Sequence, residues 1–359
     1  MKNETLKFYN GGNLIMKKYS LIILFVVIGL LSQSIAQDDG STTTKVGTTS
    51  AQFLKIGAGA RAVSMGGAYS AVSHDIYSVY WNPAGLATST NTTEVTFNHA
   101  NWIADMSYDF AAASYSFGDM GTIAASFTSF GIPEDKVRTL TNPDGDGRMW
   151  DAGAIAVGLT YSKMLTDRFS IGVTGKYIRE SVWNSTSSGF ALDVGTLYRT
   201  PFNDLTISAA IFNFGSDLTL DGRDIQFNND PNANIDTGPN NIPASYDTDA
   251  FPIPMMFRFG LAIDPVKSRY IRITTAADAI QPNDNSPYVN LGAEFAYDEM
   301  FMLRAGFRQL FLKNLEGGLT VGAGLKYRIS DGLGIAINYA YADYGRLLDV
   351  HFFDVSLEL

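Results

Sequence analysis

Between residues 93 and 359, apolar and polar residues alternate with a period of two, which is typical of β-strands with one apolar face. In the segment 257–264, phenylalanine, leucine and isoleucine occupy one face, while the other face carries arginine, glycine, alanine and aspartate. The segments 289–297, 319–328 and 333–341 repeat this pattern. After residue 36 no run approaches the length of about 18 consecutive apolar residues, so we expect no membrane-spanning helix.

The polar faces of these strands are rich in glycine and alanine. A sheet that faces water normally carries lysine, glutamate and threonine, whereas small residues suit the crowded interior of a barrel. The apolar faces end in aromatic residues, which indicates belts at the two membrane interfaces. These residues are Trp102, Trp183, Tyr297, Tyr327 and Tyr341. A soluble β-sandwich is the alternative, but charged residues make up 17% of the chain, whereas a soluble domain has about 25%.

The pattern predicts an all-β fold, a 14-stranded antiparallel transmembrane β-barrel over residues 93–359. An even number of strands is what antiparallel closure requires in single-chain bacterial barrels. Short turns alternate with longer connections, and two long polar loops are predicted at 133–150 and 218–252. The last predicted strand, 349–359, can close the barrel against the first. The predicted strands are 93–102, 106–118, 121–132, 151–165, 167–183, 186–200, 204–217, 253–266, 268–280, 286–299, 300–310, 317–330, 333–345 and 349–359.

The N-terminus has the pattern of a secretory signal peptide. A basic start at 16–18 precedes an apolar run at 21–31 and the small-residue sequence SIA. This run is too short for the roughly 20 residues of a spanning helix. We therefore expect a cleaved signal peptide over residues 1–36, in which 1–15 form a non-native extension, and a mature chain in the outer membrane of a Gram-negative cell. Glutamine, not cysteine, follows the cleavage point, which argues against lipid attachment there.

Charge and cysteine content narrow the possible partners. Loss of residues 1–36 removes four of the 26 basic and one of the 36 acidic residues, which leaves a net charge of −13. Nucleic acid is an unfavourable partner for that charge. The chain has no cysteine, so it has no disulfide, thiol nucleophile or thiolate metal site.

Residue types for catalysis or metal binding are sparse, and we expect neither an enzyme nor a cofactor. The three histidines are His74, His99 and His351. His99 is the candidate for a surface hydrolase, but the pattern places no orienting acid beside it. The sequence DGDG at 144–147 could hold calcium, yet it lacks the bidentate glutamate of a calcium loop and favours a polar turn.

Residues 37–92 precede the first predicted strand and include GAYSAVSHDIYSVYWNPAGLA at 67–87. This segment is too apolar to be exposed to the periplasm. Irregular backbone at membrane depth is tolerated only where it is buried in protein or lines a cavity. We therefore predict that the segment forms a plug in the barrel lumen. A short helix is predicted from Asp75 to Trp81, capped by Ser73 or Asp75 and ended by the Asn-Pro pair that follows.

Eight residues are candidates for holding or gating this plug. Arg61 requires an acidic partner on the inner face, for which we consider Asp264, Glu294, Asp354 or Glu358. The aromatic candidates would also contact a hydrophobic ligand. The eight candidates are Arg61, Asp75, Tyr77, Tyr80, Trp81, Asn82, Pro83 and Gly85.

The segment FLKIGAGARAVSMGGAYSAVSHDIYSVYWNPAGLA at 53–87 resembles the N-terminal signature of the PorV/PorQ family of Bacteroidetes-type outer-membrane proteins. Within it, NPAGL at 82–86 is similar to a segment of FadL-type fatty acid transporters. Further similar segments are LTDRFSIGVTGKYI at 165–178, FALDVGTLYRT at 190–200 and FMLRAGFR at 301–308. The resemblance covers nearly the whole mature chain and implies a 14-stranded FadL-like barrel with an N-terminal plug.

The resemblance implies two alternative functions. Some relatives serve the type IX secretion system, so the chain would be an accessory or shuttle component that is anchored in outer-membrane lipid. Its loops 133–150 and 218–252 would engage C-terminal signal domains of cargo or a secretion partner. FadL-type relatives move hydrophobic compounds, so the alternative is a passive channel for a hydrophobic ligand, gated by residues 51–92.

Overall fold

A computed structural model describes residues 45–230, 241–312, 315–330 and 332–359. Within these residues, fourteen antiparallel strands form one closed barrel, which confirms the predicted fold. The predicted signal peptide, 1–36, lies outside the described residues. The strands are β1 (Thr93–Asn101), β2 (Ser107–Ser116), β3 (Thr122–Lys136), β4 (Met149–Thr166), β5 (Phe169–Val182), β6 (Ser185–Arg199), β7 (Thr206–Gly215), β8 (Met256–Lys267), β9 (Ile271–Pro282), β10 (Tyr288–Tyr297), β11 (Phe301–Leu310), β12 (Leu319–Ser330), β13 (Leu333–Asp343) and β14 (Asp349–Glu358).

The barrel is closed by pairing between its first and last strands. Each strand pairs with its neighbours in sequence, and β1 pairs with both β2 and β14. Phe97 lies opposite Val355, and the Leu359 amide donates a hydrogen bond to the Thr93 carbonyl at 2.8 Å. Closure gives the backbone of these edge strands hydrogen-bond partners that they would otherwise lack in lipid.

The two faces of the barrel differ in composition as the alternation predicts. In β1, Glu94, Thr96 and Asn98 point inwards and are buried, whereas Val95 and Phe97 are exposed on the outer face. Apolar side chains are exposed in the same way on the outer face of other strands, from Leu159 in β4 to Val355 in β14. Exposure of this much apolar surface to water would cost about 25 cal/mol per Å². Contact with lipid removes that cost, so the soluble sandwich is rejected.

The connections at the two ends of the barrel differ in length. One end carries short turns, such as residues 167–168 between β4 and β5 and 268–270 between β8 and β9. The other end carries the long connections 137–148 and 216–255, although only residues 183–184 join β5 to β6 there. Bacterial barrels have short periplasmic turns and longer external loops, so the end with the long connections is the external one.

Both predicted long loops are more regular than expected. The loop predicted at 133–150 is shorter, because β3 and β4 continue their pairing to Lys136 and Met149. The loop predicted at 218–252 contains two short strand pairs. Gln226–Asn229 pairs with Ile242–Ser245, and Leu218–Thr219 pairs with Ala250–Phe251. Backbone pairing thus continues beyond the membrane where composition alone indicates irregular turns.

Trp102 does not belong to an aromatic belt, and that prediction is wrong. It follows β1 and is half-buried, and its ring packs edge-on against Tyr344 at 5.1 Å and Phe352 at 6.2 Å between ring centroids. The chain turns inwards over the barrel mouth at this point, which moves the ring away from the lipid. Tyr297 and Tyr327 remain exposed on the outer face.

The segment before β1 consists of short helical turns joined by irregular backbone. It contains the 3₁₀ turns Gln52–Lys55 and Pro83–Thr88 and the α-helices α1 (Ala60–Ser64) and α2 (Ser78–Trp81). Most of its apolar side chains are buried, including Met65, Tyr69 and Leu86. No helix in the described part of the chain is long and apolar enough to cross a membrane.

Helix α2 is shorter than the predicted helix. It begins at Ser78 and has no side-chain cap, so the predicted caps at Ser73 and Asp75 are wrong. The Asp75 carboxylate instead accepts a hydrogen bond from the Tyr77 amide at 3.1 Å, and the Ile76 amide donates to Glu94 at 2.9 Å. These bonds satisfy two amides of the turn that precedes α2. The helix ends at Trp81, directly before the Asn-Pro pair, as predicted.

Glycines on the inner face allow the N-terminal segment to lie against the barrel wall. A Cβ atom on Gly172 of β5 would lie 2.3 Å from the backbone carbonyl carbon of Pro83, and one on Gly306 of β11 would lie 2.2 Å from that of Met65. No side chain fits at such distances. The segment therefore touches the backbone of the wall itself, which explains why small residues recur on this face.

Substitution of Gly172 by alanine should destabilise the protein by about 1–3 kcal/mol, because the added methyl group must displace backbone. Gly175 lies in the same strand on the exposed outer face, and its nearest side-chain atom would be 3.9 Å from a new Cβ. Gly175→Ala should therefore change stability by less than about 0.5 kcal/mol. Urea unfolding of the purified protein in lipid measures both values, and equal losses for the two variants would contradict the close contact.

Candidate functional site

Arg61 forms the central ion pair between the N-terminal segment and the barrel wall. Its Nε and Nη2 atoms donate to the two carboxylate oxygens of Glu294 in β10, each at 2.9 Å. Its Nη1 atom donates to Asp75 at 3.1 Å. A guanidinium and a carboxylate that share two parallel bonds are held in one relative orientation. Arg61 and Asp75, two of the eight candidates, are thus joined at one place on the wall.

The other three acids considered for Arg61 have different partners. Asp354 accepts a hydrogen bond from the Ala60 amide at 2.6 Å. Asp264 accepts a hydrogen bond from Thr274, and Glu358 accepts one from Lys326. Of the four, Glu294 is therefore the acid that pairs with the Arg61 side chain.

Glu294 also pairs with two arginines of the barrel wall that the sequence did not single out. Arg304 of β11 donates to it at 2.6 Å, and Arg272 of β9 donates at 3.0 Å. Arg304 lies directly opposite Glu294 in the strand register, so correct pairing of these strands would have identified it. Glu299 binds Arg272 from the neighbouring turn and supplies further negative charge.

The network continues through Arg304 to the backbone of α1. Arg304 donates to the Asn338 side-chain oxygen at 2.8 Å, and the Asn338 amide group donates to Asp354 at 2.7 Å. Asp354 in turn binds the Ala60 amide. The side chain of Arg61 and the backbone immediately before it are therefore held by one connected set of buried polar groups.

Other inward-facing carboxylates bind the irregular backbone of the segment. Asp278 of β9 accepts hydrogen bonds from the Tyr69 and Ser70 amides at 3.2 and 3.0 Å. Glu94 of β1 accepts one from the Ile76 amide. Non-helical backbone at membrane depth needs such partners, because no water is present to satisfy it.

The three aromatic candidates hold the segment together through their polar atoms. The Tyr77 hydroxyl shares a 2.6 Å hydrogen bond with Thr96 of β1. The Tyr80 hydroxyl donates to the Ile56 carbonyl at 2.6 Å, and the Trp81 ring nitrogen donates to the Ala58 carbonyl at 2.8 Å. The Tyr80 and Trp81 contacts join α2 to the chain that precedes α1, and the Tyr77 contact joins the segment to β1.

Asn82, Pro83 and Gly85 form a junction near the periplasmic end of the barrel. The Asn82 amide group donates to the Thr196 carbonyl of β6 at 3.1 Å, and its oxygen accepts from the Ala84 amide at 3.1 Å. Pro83 lies against the backbone of Gly172 in β5. A Cβ atom on Gly85 would lie 2.3 Å from the Ser73 carbonyl oxygen, so this position is restricted to glycine.

A cavity of about 230 Å³ lies between the segment and the external end of the barrel. Tyr80 and Trp81 line it, whereas Tyr77 is not among its lining residues. Arg258 and Arg308 line it from the wall. The cavity therefore combines aromatic surface with positive charge.

Asp284 fixes the external end of the N-terminal segment. Lys55 pairs with its carboxylate at 2.6 Å, and Gln52 and Thr49 donate to the same oxygen at 3.1 and 3.0 Å. Burial opposes ionisation of Asp284, but these hydrogen bonds outweigh it and hold the pKa of the carboxyl group below its usual value. The contribution of this ion pair to stability is therefore present at neutral pH and is lost as the pH falls through the acidic range.

His99 has an acidic partner, contrary to the expectation from sequence. Its Nδ1 atom lies 2.7 Å from an Asp109 carboxylate oxygen, because the two residues are directly opposite in β1 and β2. Its Nε2 atom faces the Asn101 side-chain oxygen at 3.2 Å, where a hydrolase would need a serine hydroxyl. The DGDG turn is closed by an ion pair between Asp146 and Arg148. No group of three or more potential metal ligands occurs among the described residues.

Replacement of Glu294 by glutamine should destabilise the protein by about 3–5 kcal/mol, because three arginines lose their shared counter-charge inside the barrel. Glu299→Gln is the matched control, since it removes one Arg272 partner whose side chain is 61% exposed and should cost less than about 1 kcal/mol. Urea unfolding and trypsin cleavage of residues 45–92 measure the effect. Equal behaviour of the two variants would mean that Glu294 does not hold the segment.

Solved structures with the same fold include proteins described as a toluene transporter, a monoaromatic hydrocarbon channel and a FadL homologue. The toluene transporter TbuX of Ralstonia pickettii has a TM-score of 0.53 and 14% identity, over 84% of this chain and 97% of that one. The monoaromatic hydrocarbon channel CymD has a TM-score of 0.53 and 13% identity, over 84% and 96% of the two chains. A FadL homologue of Pseudomonas aeruginosa has a TM-score of 0.51 and 12% identity, over 82% and 95%. These similarities establish a FadL-like fold alone.

The sequence itself identifies the family. No curated protein is significantly similar to the chain. The family model described as type IX secretion system protein PorV matches residues 39–279, which include the N-terminal segment and most of β1 to β9. That match covers more than half of the chain, and the closed 14-stranded barrel agrees with it. The protein therefore belongs to the PorV family of type IX secretion outer-membrane barrels.

Proposed function

We propose that the protein is an accessory or shuttle component of type IX secretion that holds secreted proteins at the cell surface. The barrel anchors it in outer-membrane lipid, and its external loops engage C-terminal signal domains of cargo or a partner of the secretion system. The match to the PorV family over residues 39–279 carries this proposal. Export by a cleaved signal peptide over residues 1–36 is part of it.

The filled interior of the barrel supports an anchoring role. The N-terminal segment is bonded to opposite sides of the wall, through Glu94 and Asp354 on one side and Thr196 on another. The buried pair between Arg61 and Glu294 would have to break before the segment could move as a whole. In this proposal the segment is a permanent plug, and transport of cargo takes place outside the lumen.

The external loops present apolar side chains to water. Tyr246 is 66% exposed and packs against Phe227 with 4.9 Å between ring centroids, on the short strand pair of the long loop. Leu140 and Leu348 are also exposed, on the external connections β3–β4 and β13–β14. A set of apolar side chains on a water-exposed surface is typical of a protein-binding site. We therefore assign the binding of cargo or partner to this face, and we propose no catalytic role.

Tyr246→Ser should reduce the amount of surface-attached cargo when it replaces the wild-type gene, while the barrel still reaches the outer membrane. The control is Phe202→Ser, which removes a 43% exposed aromatic ring from the β6–β7 turn at the periplasmic end. Cargo on intact cells is measured by surface labelling, with a gene deletion as the reference. Unchanged cargo display after the deletion would reject the secretion role, and a loss from Phe202→Ser alone would reject the external face.

A passive channel for hydrophobic molecules is the second candidate. The fold relatives include proteins described as transporters of toluene, and Tyr80 and Trp81 line the external cavity where such a ligand would contact them. This function would require displacement of the plug.

Asn82→Ala should accelerate uptake of a labelled fatty acid if the segment is a gate, because it removes the hydrogen bond to β6 that fixes the junction. Uptake is compared in cells with the wild-type protein, with this variant and with the gene deleted. Equal uptake in all three would reject the channel.

A further inference from the structure

The long external connection between β7 and β8 carries a two-stranded sheet that stands apart from the barrel. Gln226–Asn229 pairs in antiparallel register with Ile242–Ser245, and no other strand in the described part of the chain pairs with either of them. We call these two strands the external ribbon. A two-stranded sheet without further cover is at most marginally stable in water. The ribbon is therefore a candidate for completion by another polypeptide.

Alternate residues give the external ribbon one apolar face. Residues that lie opposite each other in an antiparallel pair point to the same side, so Phe227 lies beside Ala244 and Asn229 lies beside Ile242. Tyr246 follows on this face and packs against Phe227. Phe227 and Ile242 are each 40% exposed, and Tyr246 is 66% exposed. The apolar face is thus open to water.

The hydrogen-bond pattern shows which backbone groups of the ribbon point outwards. The Tyr246 amide donates to the Ile225 carbonyl at 2.9 Å, so these two residues are a hydrogen-bonded pair. Hydrogen-bonded and non-hydrogen-bonded pairs alternate along two antiparallel strands. Asn228 and Pro243, which lie opposite each other, therefore form a non-hydrogen-bonded pair. Their backbone groups point away from the ribbon, one towards each edge.

The two edges of the ribbon differ in their capacity to accept a further strand. At the edge of the second strand, Pro243 has no N–H to donate, which is a common way to protect an edge. At the edge of the first strand, the Asn228 N–H and carbonyl have no partner among the described residues. The Gln226 carbonyl points the same way, whereas the Gln226 N–H donates to the Arg223 carbonyl. One edge is thus closed, and the other presents backbone groups for pairing.

The chain around the ribbon is strongly acidic. The described parts of this connection, residues 216–230 and 241–255, contain six aspartates and one arginine, which give a net charge of −5. Asp230 directly follows the first strand, and Asp224 lies two residues before it. Complementary charge favours one partner over another and steers its approach. A strand that carries lysine or arginine is therefore favoured over an acidic one.

We propose that Gln226–Asn229 is a β-strand addition site for an extended, basic segment of a secreted protein. The added strand runs antiparallel to it, exchanges two main-chain hydrogen bonds with Asn228 and covers the apolar face with alternate side chains. In this mode of recognition, main-chain bonds supply affinity and alternate side chains supply selectivity. The inference rests on the proposed function, because it specifies how the external face holds cargo.

A synthetic strand, fluorescein-labelled Lys-Val-Thr-Val-Lys-Tyr-Lys with blocked ends, is added to the full-length protein in detergent micelles. We expect a saturable rise in fluorescence anisotropy. If the valines and the tyrosine lie on the apolar face, the threonine and the lysine after the second valine direct their N–H groups to Asn228 and its edge. N-methylation of these two residues should weaken binding about tenfold or more. N-methylation of the two valines is the matched control and should leave the affinity unchanged.

Asn228→Pro closes the open edge, because the new residue lacks the outward N–H. It removes no hydrogen bond within the ribbon, since Asn228 belongs to a non-hydrogen-bonded pair. Peptide binding should weaken about tenfold or more. Asn228→Ala removes the side chain but keeps the N–H, and it should bind the peptide as the wild-type protein does. Heat-dependent migration on gels shows that the barrel of each variant is folded.

Three results would overturn the proposal. These are absence of saturable peptide binding to the wild-type protein, equal affinity for the two N-methylated peptides, and wild-type affinity in Asn228→Pro. Equally tight binding of a peptide with glutamate in place of each lysine would overturn the basic character of the partner.

Cargo display on intact cells separates this inference from the proposed function. We expect surface-attached cargo to fall in Asn228→Pro and in the gene deletion, but not in Asn228→Ala. A fall in the deletion alone would reject strand addition and leave the secretion role in place. Unchanged display in the deletion would reject the secretion role, and peptide binding alone would then decide whether the edge accepts a strand.

Discussion

The structure depends on one constraint, which is that polar groups at membrane depth must find partners within the protein. The strands meet it by closing into a ring, in which β1 pairs with β14. The segment before β1 cannot meet it in the same way, because its helices are only four to six residues long. It is satisfied by carboxylates on the inner face, and Glu94, Asp278 and Asp354 each accept hydrogen bonds from its amides. This requirement explains why acidic side chains occur on the inner face of a barrel whose outer face is apolar.

The same constraint explains the clustering of charge around Glu294. A lone buried arginine would be strongly unfavourable, and one carboxylate shared by three arginines is stable only with further partners nearby. Asp75 and Glu299 provide these partners for Arg61 and Arg272, and Asn338 provides one for Arg304. Because the bonds are directional, they specify a single position of the segment along the wall. Hydrophobic packing alone would leave that position less well defined.

The barrel was predictable from the sequence because a period of two and small inward-facing residues are local signals. Pairing across strands was not, since it depends on register, and for this reason Arg304 opposite Glu294 and Asp109 opposite His99 were missed. Trp102 was wrongly assigned to an aromatic belt, because the sequence at the end of a strand does not show whether the following turn directs a side chain towards the lipid or over the barrel mouth. Arg61 could be connected to a short set of acids including Glu294, because a buried cation requires a counter-charge. Arg258 carried no such signal, since its environment arises from elements distant in the sequence.

The hydrogen bonding of buried polar groups differs between the two ends of the N-terminal segment. At the periplasmic end, the Asn82 side chain uses both its donor and its acceptor in internal bonds, and the following residues lie against glycine backbone. At the external end, a cavity remains and Arg258 retains unpaired donors. The N-terminal segment therefore packs less completely against the wall beside this cavity than at its periplasmic end.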